Sequence, residues 1–390
     1  MKLLPRLRLI WPVLACGFVY HPPMFAEALP ADSTMRVYIG TYTGGKSKGI
    51  YVARFDPATG RLSAPELATA TPSPSFLVLH PSRRFLYAVG ETSSVAGKRV
   101  GAVAAFSLNA KTGQLTLVNR QSSGGEGPCH LAVDRTGACL LVANYGSGSI
   151  AALPIRADGG LAEPGAVIQH RGSSVNPARQ AGPHAHFITA DPANRFALTC
   201  DLGLDQVLVY RLDPAKAALV PNDPPFTAIR PGSGPRHLAF HPSGRFVFLI
   251  NEMSATLTAF AYDAKRGALK ELQTVSTLPE TFAGERSGAE VQVHPSGKFV
   301  YGSNRGHDSI AVFSLDPKSG QLTLVEHQST QGKTPRHFTL DPTGQWLLAE
   351  NQDSDSIVIF RVDASTGRLS ATEETVSVGA PACAIFVPGK

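Results

Sequence analysis

The phrase GPRHLAFHPSGRF, Gly234 to Phe246, recurs along this chain, and the recurrence limits the possible folds more than any other feature. Aligned on the turn after the apolar run, six copies are nearly complete, among them PSFLVLHPSRRFLYAVGE (Pro74 to Glu91), PCHLAVDRTGACLLVANY (Pro128 to Tyr145) and PRHFTLDPTGQWLLAENQ (Pro335 to Gln352). A seventh, PACAIFVPGK, breaks off at its turn, and its missing half, VYIGTY (Val37 to Tyr42), lies at the other end of the chain. Segments such as DPATGRL at Asp56 and DPKSGQL at Asp316 mark hairpin turns, and these also number seven.

Each unit of about fifty residues reads as four short strands: an apolar run, the HPSG-type turn, a second run such as FVFLIN, a third such as TLTAFAYD, the DPxxG turn and a fourth. One such sheet cannot bury both its faces, whereas radial packing of several buries them all and leaves only short edges. The spacing therefore predicts an all-β, seven-bladed β-propeller of four-stranded antiparallel blades spanning residues 35–390. The split copy predicts that the last blade is closed by pairing a strand from near the N-terminus with strands from the C-terminus. An open solenoid would need polar caps instead of a divided repeat.

Residues 1–28 differ in kind. Lys2, Arg6 and Arg8 precede the apolar stretch Leu9 to Tyr20, and Ala26-Glu27-Ala28 supplies a small-x-small cleavage site. This is the pattern of a secretory signal peptide and predicts a periplasmic or secreted protein. The run is too short to span a bilayer, so no transmembrane helix is expected in the mature chain. Val13-Leu14-Ala15-Cys16 matches a lipoprotein signal only loosely, which makes anchoring the weaker reading. The remaining cysteines, Cys129, Cys139, Cys200 and Cys383, are irregularly spaced without a CxxC pair; Cys139 and Cys200 fall at apolar strand positions and read as buried thiols.

A formal charge of +6 with no basic run interleaved with aromatics excludes a nucleic-acid partner, while anionic small molecules remain compatible. In a propeller the first strand of each blade lines the central channel, and the HPSG hairpin sets the start of that strand beside the end of the second. The position six residues before the turn proline is Ser75, Cys129, His186, Arg236, Ala289, Arg336 and Ala382. Nine residues after it come Asn144, Asp201, Asn251, Asn304 and Asn351, and ten after come Glu91, Tyr145, Glu252 and Arg305. A core position would repeat as apolar; these vary in charge from blade to blade. The repeated Asn residues have an architectural reading, as strand-end caps, beside a substrate-binding one.

The third blade departs from the template. GPHAHF (Gly182 to Phe187) carries two extra residues and follows a polar loop, His170 to His186, that no other blade has. Insertions on one rim of a repeat protein usually sit on the binding face. His184 and His186, at i and i+2 on a strand, are expected to share a face and to bind substrate or transfer protons, with metal ligation as an alternative.

With those motifs in view, YIGTYT, GPCHLAVDRTG, RQAGPHAHFITADP, GPRHLAFHPSGRFVFLINE and VYGSNRGHDSIAVF resemble the seven-bladed propeller lactonases over about Arg36 to Phe386. That family includes bacterial propeller-type 6-phosphogluconolactonases and fungal carboxymuconate-lactonising enzymes. The resemblance implies a catalytic set of two arginines, a glutamate and a histidine, which by motif are Arg236, Arg305, Glu252 and either His184 or His186. The repeat analysis reaches the same rim independently.

Lactone hydrolysis needs an activated water, an oxyanion stabiliser and a proton donor for the departing ring oxygen. The expected assignments are Glu252 or His186 as base, Arg236 and Arg305 for the oxyanion or an anionic substituent, and the histidine pair as acid. Asn144, Tyr145, Asp201, Asn251, Asn304, Glu91 and Arg336 are expected to bind substrate. No cofactor is expected, but a Ca²⁺-dependent lactonase is an alternative in which Asn144, Asp201, Asn251, Asn304 and Glu252 form the ligand ring. A carboxymuconate-type cyclase, and a non-enzymatic exported propeller that binds a protein or saccharide, are the other readings. Because phosphorylated sugar lactones are scarce outside the cytoplasm, export favours an unphosphorylated lactone.

Overall fold

The computed structural model describes residues 34–91 and 101–388. Residues 1–28, read above as a signal peptide, and Cys16 lie outside the described residues. Seven antiparallel sheets form the ring: the inner strands of blades one to six begin at Leu77, Pro128, Ala185, Pro235, Gly288 and Pro335. The seventh blade joins Pro381–Val387, its innermost strand, to Met35–Thr41, Gly49–Asp56 and two short outer strands. Tyr38 pairs with Val52 on one side and Ile385 on the other. The clasp thus takes a single strand from the C-terminus, where several were expected.

The apolar runs form strands that are buried on both faces. In Phe246–Asn251 every residue is buried. Alternate side chains point oppositely along a strand, so Phe246, Phe248 and Ile250 pack against blade five while Val247 and Leu249 pack against blade three. Seven such clusters, one at each junction, close the core into a ring. Removing one large side chain such as Phe248 would cost about 3–5 kcal/mol. The outermost strands, in contrast, mix buried and exposed positions, as in Ala268–Ser276. No helix among the described residues is long and apolar enough to cross a membrane.

The HPSG turns join neighbouring blades. His241 Nδ1 accepts from the Ser243 amide at 3.0 Å, and its Nε2–H donates to the Gly297 carbonyl of the next blade at 2.9 Å. His80 and His294 repeat the tie to Gly137 and Gly344. Gly297 has φ 72°, and a Cβ there would stand 2.5 Å from His241 Nε2, so both backbone conformation and packing require glycine. Where aspartate replaces histidine the carboxylate caps the turn: Asp134 Oδ1 accepts the amides of Ala138 and Cys139, and Asp341 Oδ1 that of Trp346. The four described cysteines are free and buried.

Candidate functional site

At the entrance of six of the seven inner strands the register slips. Pro235 faces Asn251 but His237 faces Ile250, which leaves Arg236 as the extra residue of a β-bulge. Equivalent slips isolate Cys129, His186, Arg336 and Ala382, and one falls at Ala289 and Glu290. These are the positions that vary between blades. A bulge re-aims a side chain that the pleat would otherwise send into the core, and here it brings Cys129, His186, Arg236 and Arg336 to the channel cavity and the void beside it.

There, a cavity of about 180 Å³ is lined by Glu91, Cys129, Tyr145, Arg179, His186, Glu252, Arg305 and Arg336. Beneath it lies a void of about 10 Å³ bordered by Arg236, His186, Ser75 and His237. Glu252 organises the charges. Its Oε2 pairs with Arg236 Nε at 3.2 Å and Arg305 Nη2 at 2.9 Å, and its Oε1 accepts from Arg179 Nη2 at 2.7 Å. Burial pushes the Glu252 carboxyl up, but the Arg305 and Arg236 charges, with the Arg179 hydrogen bond, hold it well below the usual carboxylate range. Arg236 is pushed down to about 10 by burial and by the Arg305 and Arg336 charges, and so stays cationic at neutral pH. Arg336 stacks over Tyr42 at 5.1 Å, and Glu91 accepts a hydrogen bond from Ser75. Four guanidinium groups face two carboxylates, a positive site.

The buried Arg305 Nε has no hydrogen-bond partner, and Arg236 Nε meets Glu252 Oε2 at 3.2 Å as an ion pair without hydrogen-bond geometry. An unsatisfied buried donor is costly, and such groups concentrate where a structure is arranged for a ligand.

His186 and His184 take different positions. His186 lines the cavity, and burial, then the Arg236 charge, lowers its pKa well below the ordinary histidine value. Its Nδ1 is buried without a partner. His184 is absent from the lining; it stacks on Tyr145 with ring centroids 4.5 Å apart, and its Nδ1–H donates to the Tyr145 carbonyl at 3.0 Å. The expectation that two residues at i and i+2 act together fails because the bulge at His186 interrupts the alternation.

The amide and aspartate series is not brought to the cavity either. Asn144 Nδ2 donates to the Ser123 carbonyl, Asn304 Nδ2 to the Thr277 carbonyl and Asn351 Nδ2 to the Thr330 carbonyl, each in the connection from the preceding blade. Asn251 instead bonds Thr256 and Thr258 in its own blade. Asp201 is fully buried and accepts from His170 Nδ1 at 2.6 Å and from the His184 amide at 2.7 Å. These side chains serve separate connections, so a Ca²⁺ ring of Asn144, Asp201, Asn251, Asn304 and Glu252 does not fit. Among the described residues no group of three or more His, Cys, Asp or Glu is placed to hold a metal ion.

The inserted loop supplies what sequence reasoning missed. Arg179 sits in a turn where Asn176 Oδ1 accepts the amides of Ala178 and Arg179. Fully buried Gln180 anchors the turn, donating to the Leu202 carbonyl and to Asp205. Asp205 also accepts from Ser174 Oγ and from the amides of Gly232 and Gly234. One carboxylate therefore braces both the turn that bears Arg179 and the segment that leads to Arg236. The signal available was position: Arg179 lies in the one loop without a counterpart in the other blades.

The family model for "Lactonase, 7-bladed beta-propeller" matches residues 36–386. The chain belongs to this family. This lactonase is 37% identical to a 6-phosphogluconolactonase of Bacillus subtilis over 90% of this chain and 97% of that one. It is 33% identical to a 6-phosphogluconolactonase of Formosa agariphila over 78% of this chain and 86% of the relative. The solved periplasmic gluconolactonase of Pseudomonas aeruginosa superposes with a TM-score of 0.87 at 36% identity, covering 92% of this chain and all of that one. Membership places the protein among enzymes that open a cyclic carboxylic ester.

Proposed function

We propose that the protein hydrolyses a sugar lactone in the channel cavity by direct attack of water, without a covalent enzyme intermediate. The observation that carries this reading is the pair of buried guanidinium groups, Arg236 and Arg305, held beside Glu252 and His186 with Arg305 Nε left without a hydrogen-bond partner. Such donors suit the negative charge that develops on a carbonyl oxygen under attack.

In this reading Glu252 is the counter-ion that keeps the arginines together. It is a poor base, because three cations stabilise its ionised form. His186, neutral at physiological pH, takes the proton from water as the new C–O bond forms. The ring C–O bond then breaks, and His186 returns the proton to the departing alkoxide. The product hydroxy acid ionises and releases one proton to solvent. Relatives named for 6-phosphogluconolactone and for gluconolactone support a sugar lactone. The N-terminal export pattern favours the periplasm as the place of action.

The test is proton release by the purified mature chain on gluconolactone, 6-phosphogluconolactone and a muconolactone, with and without chelator and corrected for spontaneous hydrolysis. We expect turnover that survives chelation and falls on the order of 10²–10³-fold in Arg236→Ala. Loss on chelation would favour the metal-dependent alternative. Background rates throughout would overturn the enzyme reading in favour of a binding platform.

A further inference from the structure

Of the cations around the cavity, Arg179 differs in origin and in commitment. Arg236 and Arg305 come from the blade repeat, and their side chains are 2% and 15% exposed. Arg179 comes from the inserted loop, and its side chain is 44% exposed although it lines the same cavity. Only its Nη2 is engaged, by Glu252 Oε1 at 2.7 Å and Tyr145 Oη at 3.3 Å. Among the described residues its Nε and Nη1 have no protein partner. The backbone beneath it is fixed by the Asn176, Gln180 and Asp205 bonds. A guanidinium held at one corner, with a free edge and a rigid base, is suited to receive two oxygens of an anion.

We propose that Arg179 is the specificity-determining residue of the site, which receives an anionic substituent, carboxylate or phosphate, carried by the lactone away from its ester. This rests on the lactonase reading and adds the substrate class. The excess of guanidinium over carboxylate around the cavity favours the same chemistry. A carboxylated sugar lactone satisfies the cationic site in an exported protein without requiring a phosphorylated substrate.

The experiment compares wild type, Arg179→Ala and Arg179→Lys on gluconolactone, which bears no charged substituent, and on its anionic counterparts 6-phosphogluconolactone and glucarolactone. The expected result is a roughly tenfold to hundredfold fall in the anionic-to-neutral ratio of kcat/KM in Arg179→Ala, expressed in KM, with partial rescue by lysine. Whichever anionic lactone suffers the larger loss identifies phosphate or carboxylate as the source. An equal fall on charged and uncharged lactones, expressed in kcat, would overturn the proposal and leave Arg179 as a clamp on Glu252. Calorimetric binding of 6-phosphogluconate and of glucarate, each against gluconate, provides a readout independent of turnover. A chain that opens no lactone but loses its preference for 6-phosphogluconate or glucarate in Arg179→Ala refutes the lactonase reading alone. Both preferences unchanged in that variant refute the role of Arg179.

Discussion

Glu252 and Arg236 form a buried ion pair, Oε2 to Nε at 3.2 Å, between the residue that follows the second strand of a blade and the bulge of that blade's own inner strand. Both side chains are less than a tenth exposed, so neither charge is relieved by water. Arg305 and Arg179 share the same carboxylate. Its removal would leave several buried cations facing one another.

Glu252→Gln is therefore expected to lose about 3–5 kcal/mol of stability, read from denaturant unfolding, together with activity. A variant with an unchanged unfolding midpoint whose kcat alone falls 10²-fold would restore the role of base to Glu252.

His186 is faced by Arg236, Arg305 and Arg336, which with burial disfavour its protonation, while Glu252 opposes them and Tyr145 packs edge-on at 5.4 Å. A base with a depressed pKa stays neutral to lower pH. The acid limb of kcat/KM is thus expected well below 6.5, the ordinary histidine value, with a flat profile through 6.5. His186→Gln should cost on the order of 10²–10⁴-fold. An inflection at 6.5 that His186→Gln removes would contradict the depressed value.

Deeper in the channel, His130 lies between Phe76 and Phe187, with ring centroids 4.2 and 4.1 Å away, and accepts the Ile188 amide. Burial, then the Arg236 charge, lowers its pKa well below 6.5. Below that pH the unfolded chain binds a proton that the folded chain does not, so this residue makes stability fall as pH falls. His130→Phe should reduce the acid sensitivity of unfolding by up to about 1.4 kcal/mol per pH unit below 6.5. Parallel stability curves for the two proteins would show that His130 titrates normally.

The outcome for the histidines shows where sequence periodicity stops being informative. The HPSG histidines drew attention as a repeated motif, and they are staples from His241 to Gly297 and from His80 to Gly137, equal in role because equal in sequence. The Asn series followed the same logic, and its side-chain amides bond blade connections and neighbouring threonines away from the cavity lining. Arg236, Glu252, Arg305 and His186 stood out because they break the repeat, and the fold gathers them around the channel. A residue that pseudo-symmetry does not require is free to serve one blade's particular chemistry.

Blade number, strand order and the divided seventh blade were determined by the sequence alone. They depend on apolar periodicity and turn chemistry, which act over a few residues and repeat. Tertiary structure placed His186, and not His184, in the cavity lining, since a one-residue bulge reverses the direction of a side chain without leaving a sequence signature. It also brought Arg179 to Glu252 across 73 residues. That contact depends on how the buried carboxylate of Asp205 folds the inserted loop back over the channel, a relation between distant segments that no local pattern encodes.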